Sequence, residues 1–228
     1  MRTLCIDIGG TGTKAIVLDG DGTPLCERVR VETPRPATPA AVIAAVTELI
    51  APLGEFDRVS VGFPGVVVDG TTHSAPNLDP GWAGFALAAE LGELTGKPVR
   101  AANDAGVQGL GVIEGRGVEL ALTLGTGMGF ALFTDGHYVP NIEMAHHIFR
   151  DRVTYEERVS DEERERIGNR RWRRRVDQVI AALAPVFNYR VLYIGGGNAK
   201  RLEKESLPEN VRVVENVAGL LGGIKLWG

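Results

Sequence analysis

Cysteine is scarce: Cys5 and Cys26 are the only two in 228 residues, and no CxxC pair occurs. Two cysteines do not make a disulfide scaffold, and no paired motif is present from which to build a zinc site. Neither sign of charge dominates. The formal net charge is −4, which exerts no overall pull toward nucleic acid or a membrane surface, so any polyanion site must be local. Long apolar runs are missing, and none reaches the roughly 20 residues that span a bilayer. The first apolar run is short and carries Asp7, unlike the core of a secretion signal. The expectation is a cytoplasmic protein. The phosphate-loop pattern G-x-x-x-x-G-K-[ST] is absent as well.

What the chain does have is glycine, 30 residues of it, in a background that is 44% hydrophobic and 24% charged. That composition supports a sizeable core. The length fits one large domain or two small ones around a cleft. The chain is organised around Asp7-Ile8-Gly9-Gly10-Thr11-Gly12-Thr13-Lys14, which reads as strand, tight turn, strand. Glycines at the bend let backbone N–H groups approach an anion, while Thr11, Thr13 and Lys14 add hydroxyls and a cation. Asp7, at the end of a buried strand, suits a group that orients a metal or its water shell. Gly10 to Ala15 also matches a loose G-x-G-x-x-A dinucleotide fingerprint. That motif needs a helix after the loop, and the β-branched run from Ala15 to Leu18 predicts a strand instead.

Further along, Thr23–Val31 is predicted as a third strand, with both cysteines in strands. A helix is expected from Thr38-Pro39 to about Leu53, with Val42, Val46 and Ile50 on one face. A strand over Arg58–Gly62, a helix over Ala83–Thr95, a strand over Pro98–Ala102 and a helix from Ala105 to about Ile113 follow. Glu119–Leu124, Gly125-Thr126-Gly127-Met128-Gly129 and Phe130–Thr134 repeat the opening pattern. Gly9 maps to Gly125 and Asp19-Gly20 to Asp135-Gly136 at one common offset, so a duplication is favoured over two chance hairpins. After the charged stretch 151–175, Trp172, Val176, Val179, Ile180, Leu183, Val186 and Phe187 mark one face of a helix. A strand then delivers Gly195-Gly196-Gly197-Asn198, Ala199–Glu203 resumes as helix, and Val211–Val214 is a last strand. Val217, Leu220, Leu221, Ile224 and Trp227 stripe a final helix, in which Gly219, Gly222 and Gly223 point to close packing.

Four places carry candidate chemistry. Gly195–Asn198 reads either as a phosphate or nucleoside contact or as a plain strand-to-helix turn. Asn103-Asp104 lies where a strand ends and a helix begins. Asp104 reads either as a general base for an attacking hydroxyl, with Asn103 fixing the substrate, or as a helix cap. Glu143 and His146, three apart, read either as ligands for one small polar molecule or as an exposed turn. His146-His147 is a poor metal pair, since adjacent side chains point apart. Arg170–Arg175 reads either as a polyanion site over Trp172 or as a solvated helix face balanced by the acids from Glu156 to Glu165.

Together the motifs resemble those of the ROK sugar kinases: Asp7–Lys14, Leu124–Gly129, Asn103-Asp104, Glu143-x-x-His146 and Gly195–Asn198. Within that family, Pro140-Asn141-x-Glu143-x-x-His146 is most like the bacterial polyphosphate glucokinases. The resemblance spans nearly the whole chain. It implies an actin-like (ribonuclease H-like) duplicated α/β fold with two lobes around a central cleft, residues 1–103 and 104–228, the last helix (217–227) packing back on the first. It implies transfer of a terminal phosphoryl group from polyphosphate or ATP to the 6-hydroxyl of glucose or a similar hexose. Asp104 would be the base, and Asn77, Asn103, Asp104, Glu143 and His146 would bind the sugar. Gly9, Gly10, Thr11, Gly12, Thr13, Lys14, Gly125, Thr126, Gly127, Gly196, Gly197 and Asn198 would bind phosphate or nucleotide. Asp7 would hold Mg2+ through water. A homodimer is implied, with neither nucleic acid nor membrane as partner. Three departures stand out. Ala145 replaces the glycine of the family's E-x-G-H motif, the cysteine-rich zinc motif is missing, so no structural zinc is expected, and the segment between His146 and Gly195 is short. No helix-turn-helix precedes the first hairpin, against a repressor. A sensor of the same fold, or a phosphohydrolase attacking with water, would be the alternatives.

Overall fold

The computed structural model describes the chain apart from residues 215–217 and the side chains of residues 218–220. Backbone contacts divide it into two compact units, Met1–Gly111 with Gly219–Gly228, and Val112–Ala218. The first contains β1 (Thr3–Ile8), β2 (Gly12–Leu18), β3 (Val29–Glu32), α1 (Pro39–Ile50), β4 (Arg58–Phe63), β5 (Val67–Val68), β6 (Thr71–Thr72), α2 (Leu87–Thr95), β7 (Val99–Asn103) and α3 (Asp104–Leu110). The second contains β8 (Val118–Leu124), β9 (Met128–Thr134), β10 (His137–Val139), β11 (Ile148–Arg150), β12 (Val153–Thr154), α4 (Tyr155–Val159), α5 (Asp161–Ile167), α6 (Asn169–Phe187), β13 (Val191–Gly195) and β14 (Val211–Val213). The final helix, α7 (Ala218–Lys225), runs into the first unit.

Each unit holds one five-stranded mixed sheet, in the orders β3-β2-β1-β4-β7 and β10-β9-β8-β13-β14. In both, the three hairpin strands are antiparallel and the remaining two pair parallel. The duplication expected from the glycine hairpins is therefore present in strand order and direction. It is not a copy in detail. Ile8 pairs with Thr13 across a four-residue connection, whereas Leu124 pairs with Met128 across three. Thr123, not an acid, occupies the position that matches Asp7.

Alternation along β1 sorts its residues onto two faces. Leu4, Ile6 and Ile8 join Ala15, Val17, Val59 and Val61, and this face is covered by Val42 and Val46 of α1, Leu87 and Leu91 of α2, and Trp82. Thr38 caps α1 through Ala41 N, with Pro39 in the first turn. On the other face Cys5, Ile16 and Leu18 pack with Leu221 and Ile224 of α7. Burial there pushes the Cys5 thiol up to about 12. The helix lies close because of its glycines: a Cβ on Gly222 would collide with Val107 O, and one on Gly223 would come within 2.6 Å of Cys5 Sγ. Ser60 Oγ donates to Gly223 O at 2.6 Å and accepts from Trp227 Nε1 at 2.8 Å. Two residues beyond Cys5 on the same face, Asp7 emerges at the carboxyl end of β1.

In the second unit Leu120, Leu122, Leu124, Met128 and Phe130 pack against Trp172, Val176, Val179, Ile180 and Leu183 of α6. Trp172 is fully buried, and its Nε1 donates to Val159 O at 2.8 Å. It anchors the helix in the core.

Several expected elements change. The third strand shrinks to Val29–Glu32. Pro24 makes only an isolated bridge with Leu18, and Cys26 lies outside any strand, because proline cannot donate to a ladder. The second helix begins at Leu87 instead of Ala83, since the backbone around Phe85 is held by Thr72 N→Phe85 O, 2.9 Å. The helix after Asp104 stops at Leu110, and Ala199–Arg201 is a single tight turn. Val186 is 62% exposed and does not share the buried face of α6. Val217 lies outside the described residues, as does the side chain of Leu220.

Candidate active site

In the first unit one row of paired residues crosses the sheet. Arg30 pairs with Lys14, Lys14 with Asp7, Asp7 with Gly62, and Gly62 with Ala102. Paired residues share a face, and on this one Lys14 Nζ sits 2.8 Å from Asp7 Oδ2. Gly62 is the hinge of the arrangement. A Cβ placed on it would lie 3.7 Å from Asp7 Oδ1, 3.4 Å from Asp104 Cα and 3.7 Å from Asp104 Cβ. Asp7 and Asp104 thus flank one side-chain-free position. Asn103, rather than Asp104, caps α3: its Oδ1 accepts from Ala105 N at 2.9 Å and Gly106 N at 3.3 Å, and its Nδ2 donates to Gly65 O at 3.2 Å. Asp104 Oδ1 accepts from Ala105 N at 2.7 Å, which holds its rotamer.

Two carbonyls of the first glycine turn, Gly9 and Thr11, are tied back. Thr33 Oγ1 donates to Gly9 O at 2.5 Å, and Thr33 N and Arg30 Nη2 both donate to Thr11 O at 3.4 Å. Among the described residues the N–H groups of Gly9, Gly10 and Thr11 find no protein acceptor. Carbonyls engaged and N–H groups left over are what a turn that accepts an anion requires. Asn77 packs on the turn, its Cβ 3.4 Å from where a Cβ on Gly10 would stand. Thr13 is placed differently. It is fully buried on the opposite face from Lys14, with its hydroxyl unpartnered among the described residues.

In the second unit Glu143 and His146 meet as their spacing suggests, His146 Nε2 lying 3.4 Å from Glu143 Oε2 across a single helical turn. Ala145, at the family's glycine position, is buried against the core. Burial raises the pKa of Glu143, His146 opposes the rise, and the charge of Glu156 adds to it. The local sequence does not single out Glu156. It stands in a run of acids, and nothing local separates it from Glu157 or Glu162. The fold separates them: Glu157 closes a capping box with Thr154, while Glu156 Oε2 accepts from Met128 N at 3.0 Å and fills the space where a Cβ on Gly127 would go. Gly62 does carry a local signal, since a glycine inside a strand is a recognised sign of close approach.

The second and third glycine turns are locked together. Asn198 N donates to Leu124 O at 2.9 Å, and Asn198 Nδ2 donates to Gly125 O at 3.3 Å and Asp161 Oδ1 at 2.8 Å. Asn198 Oδ1 accepts from Arg201 Nε at 3.0 Å, and Asp161 N donates to Thr126 O at 3.2 Å. Arg164 holds the Asp161 carboxyl below the ordinary range. Asn198 is therefore committed to protein partners, while Thr126 and Gly197 are exposed. In the arginine stretch, Arg173 pairs with Glu203 at 2.6 Å and Arg175 with Glu163.

The raised pKa of Glu143 has a consequence for stability. A carboxyl whose pKa is higher in the folded state favours folding while protonated, and that contribution is lost as pH rises through the folded value. Glu143→Gln removes the desolvated charge. It is expected to melt close to the wild type at acid pH and above it at neutral pH. A melting series from pH 4 to 8 checks this, and a variant that melts below the wild type at pH 7 contradicts it.

The family model described as ROK family matches residues 3–146. The polyphosphate glucokinase of Mycobacterium tuberculosis (strain CDC 1551 / Oshkosh) is 30% identical over 232 residues, covering 95% of this chain and 88% of that protein. The crystal structure of the inorganic polyphosphate/ATP-glucomannokinase from Arthrobacter sp. strain KM superposes with a TM-score of 0.89 at 33% identity, covering 100% of this chain and 99% of that one. A ROK family glucokinase from Streptomyces griseus, in complex with glucose and AMPPNP, shares the fold at 22% identity and a TM-score of 0.84, each chain covered to 99%. The matched family model, the relatives and the duplicated sheets agree: the chain belongs to the ROK family.

Proposed function

We propose that this protein is a sugar kinase that transfers a terminal phosphoryl group from polyphosphate or ATP to the 6-hydroxyl of glucose. The observation that carries the reading is the pairing of Asp7 and Asp104 around Gly62, beside a glycine turn whose N–H groups are open. A phosphoryl transfer needs a base for the hydroxyl, donors for the phosphate oxygens and a place for a metal. Asp104, held by its bond to Ala105 N, takes the proton of the sugar hydroxyl. The turn N–H groups and Lys14 offset charge on the phosphate, as preorganised donors do. Asn77, Asn103, Glu143 and His146, joined by Glu156, serve as hydroxyl partners. The turns at Gly125–Gly127 and Gly196-Gly197 complete the donor contacts, with Asn198 holding the two turns together. The names of the relatives support both donors and a glucose-type acceptor.

Magnesium fits this donor set. It is commonly held by one or two carboxylates with waters and substrate phosphates, not by a closed protein cage. Asp7 supplies such a carboxylate, and no group of three metal-ligating side chains is present among the described residues. When bound, the ion would neutralise phosphate charge. A homodimer in the cytoplasm is part of the same reading.

The test is a coupled assay for glucose 6-phosphate with polyphosphate or ATP as donor and with mannose as a second acceptor. Product from glucose with at least one donor is expected. No product with either donor overturns the reading, and phosphate release in the absence of sugar would replace it with a hydrolase.

A further inference from the structure

The geometry points to Arg30 as a second cation for the condensed-phosphate donor, a direct contact to its phosphate chain; this rests on the kinase reading above. Three observations carry it. The Arg30 guanidinium lies flat on the first glycine turn, its Nη2, Nε and Cζ within 2.7–2.9 Å of where a Cβ on Gly12 would be. Only glycine at position 12 leaves room for it there. Arg30 also shares the row and the face of Lys14 and Asp7. Through Gly12 and Thr11 O it borders the stretch of backbone, Gly9 to Thr11, whose N–H groups have no protein acceptor among the described residues.

The third observation is electrostatic. Lys14 is matched by Asp7 at 2.8 Å. Arg30 is exposed, and among the described residues no carboxylate pairs with it. Glu32, two residues further on the same face and opposite Gly12, makes no ion pair with it. Among the described residues the one acceptor it uses is Thr11 O, at 3.4 Å. An unmatched guanidinium beside open N–H groups suits a phosphate, because its planar fork can donate two bonds to neighbouring phosphate oxygens. A single exposed arginine holding one long backbone bond adds little to a fold, so its placement is better explained by an anion.

The experiment compares wild type, Arg30→Gln and Arg30→Lys. Melting temperature is read with no addition, with inorganic tripolyphosphate and with ATP, and steady-state constants are measured for donor and glucose. Arg30→Gln is expected to raise the KM for the donor by about 10–100-fold, the usual effect of losing a bond to a charged group. The KM for glucose should stay within about twofold. The tripolyphosphate-induced rise in melting temperature, seen in the wild type, should be absent in Arg30→Gln and partly kept in Arg30→Lys. A loss confined to tripolyphosphate or to ATP supports the contact and identifies the donor that uses it. Equal rises in wild type and Arg30→Gln overturn the proposal, as does a wild type that responds to neither compound. If Arg30→Gln does not fold, an undiminished response in Arg30→Lys overturns it and a reduced one supports it. A wild type that responds through Arg30 but makes no sugar phosphate defeats the kinase reading and leaves this contact standing.

Discussion

Asp104→Asn is expected to lower kcat by about 10²–10⁴-fold, the usual contribution of a general base. The substitution keeps size and removes the proton acceptor. Oδ1 already accepts from Ala105 N at 2.7 Å, and an amide oxygen can take the same bond. The helix is capped independently by Asn103, through Ala105 N and Gly106 N. The fold should therefore survive, with a melting temperature within a few degrees of wild type, and the loss should appear in kcat more than in the KM for glucose. Circular dichroism and the coupled assay separate the two effects. A variant that turns over at a near-normal rate removes Asp104 from the role of base.

Gly196→Ala is expected to be among the most damaging single methyl additions in the second unit. Gly196 has φ +89, a region that costs an L-residue roughly 1–2 kcal/mol. Its Cβ would also collide with the backbone of Leu124, at the end of β8. Overpacking against backbone typically costs a further ~1–3 kcal/mol. Leu124 O is the acceptor for Asn198 N, so relief of the clash breaks the bond that joins the second and third glycine turns. The melting temperature is expected to fall by roughly 5–15 °C, with weaker binding of the phosphate donor. Gly197→Ala is the control. Nothing lies within 4 Å of its Cβ position, so it should melt close to wild type. Equal melting for both variants would show that the approach of Gly196 to Leu124 carries no energetic weight.

Much of the fold can be read locally. The glycine hairpins, the repeat at a common offset and the helix spacing in α1 and α6 follow from periodicity and turn chemistry. Side-chain alternation also accounts for Asp7 being the odd residue in β1. The local reading failed for two different reasons, one a contact from outside the element and one a proline within it. Thr72 takes the backbone around Phe85 and delays α2. Pro24 breaks the ladder before β3 can form. At the site, Asn103-Asp104 was visible as a strand end with two readings. The cap falls to Asn103, which leaves Asp104 beside Gly62.

The sequence by itself determined which residue types stand at the turns, and hence the family resemblance, because hairpin geometry depends on a few neighbouring residues. The tertiary structure decided which charges meet. Asp7 and Asp104 come together because β1, β4 and β7 pair in parallel, and parallel neighbours are joined by long connections that leave no local signal of their register. Glu156 reaches the second turn from α4, and Arg30 the first from the antiparallel strand β3, so packing selects each from several similar residues nearby, which is information that the pattern along the chain does not hold.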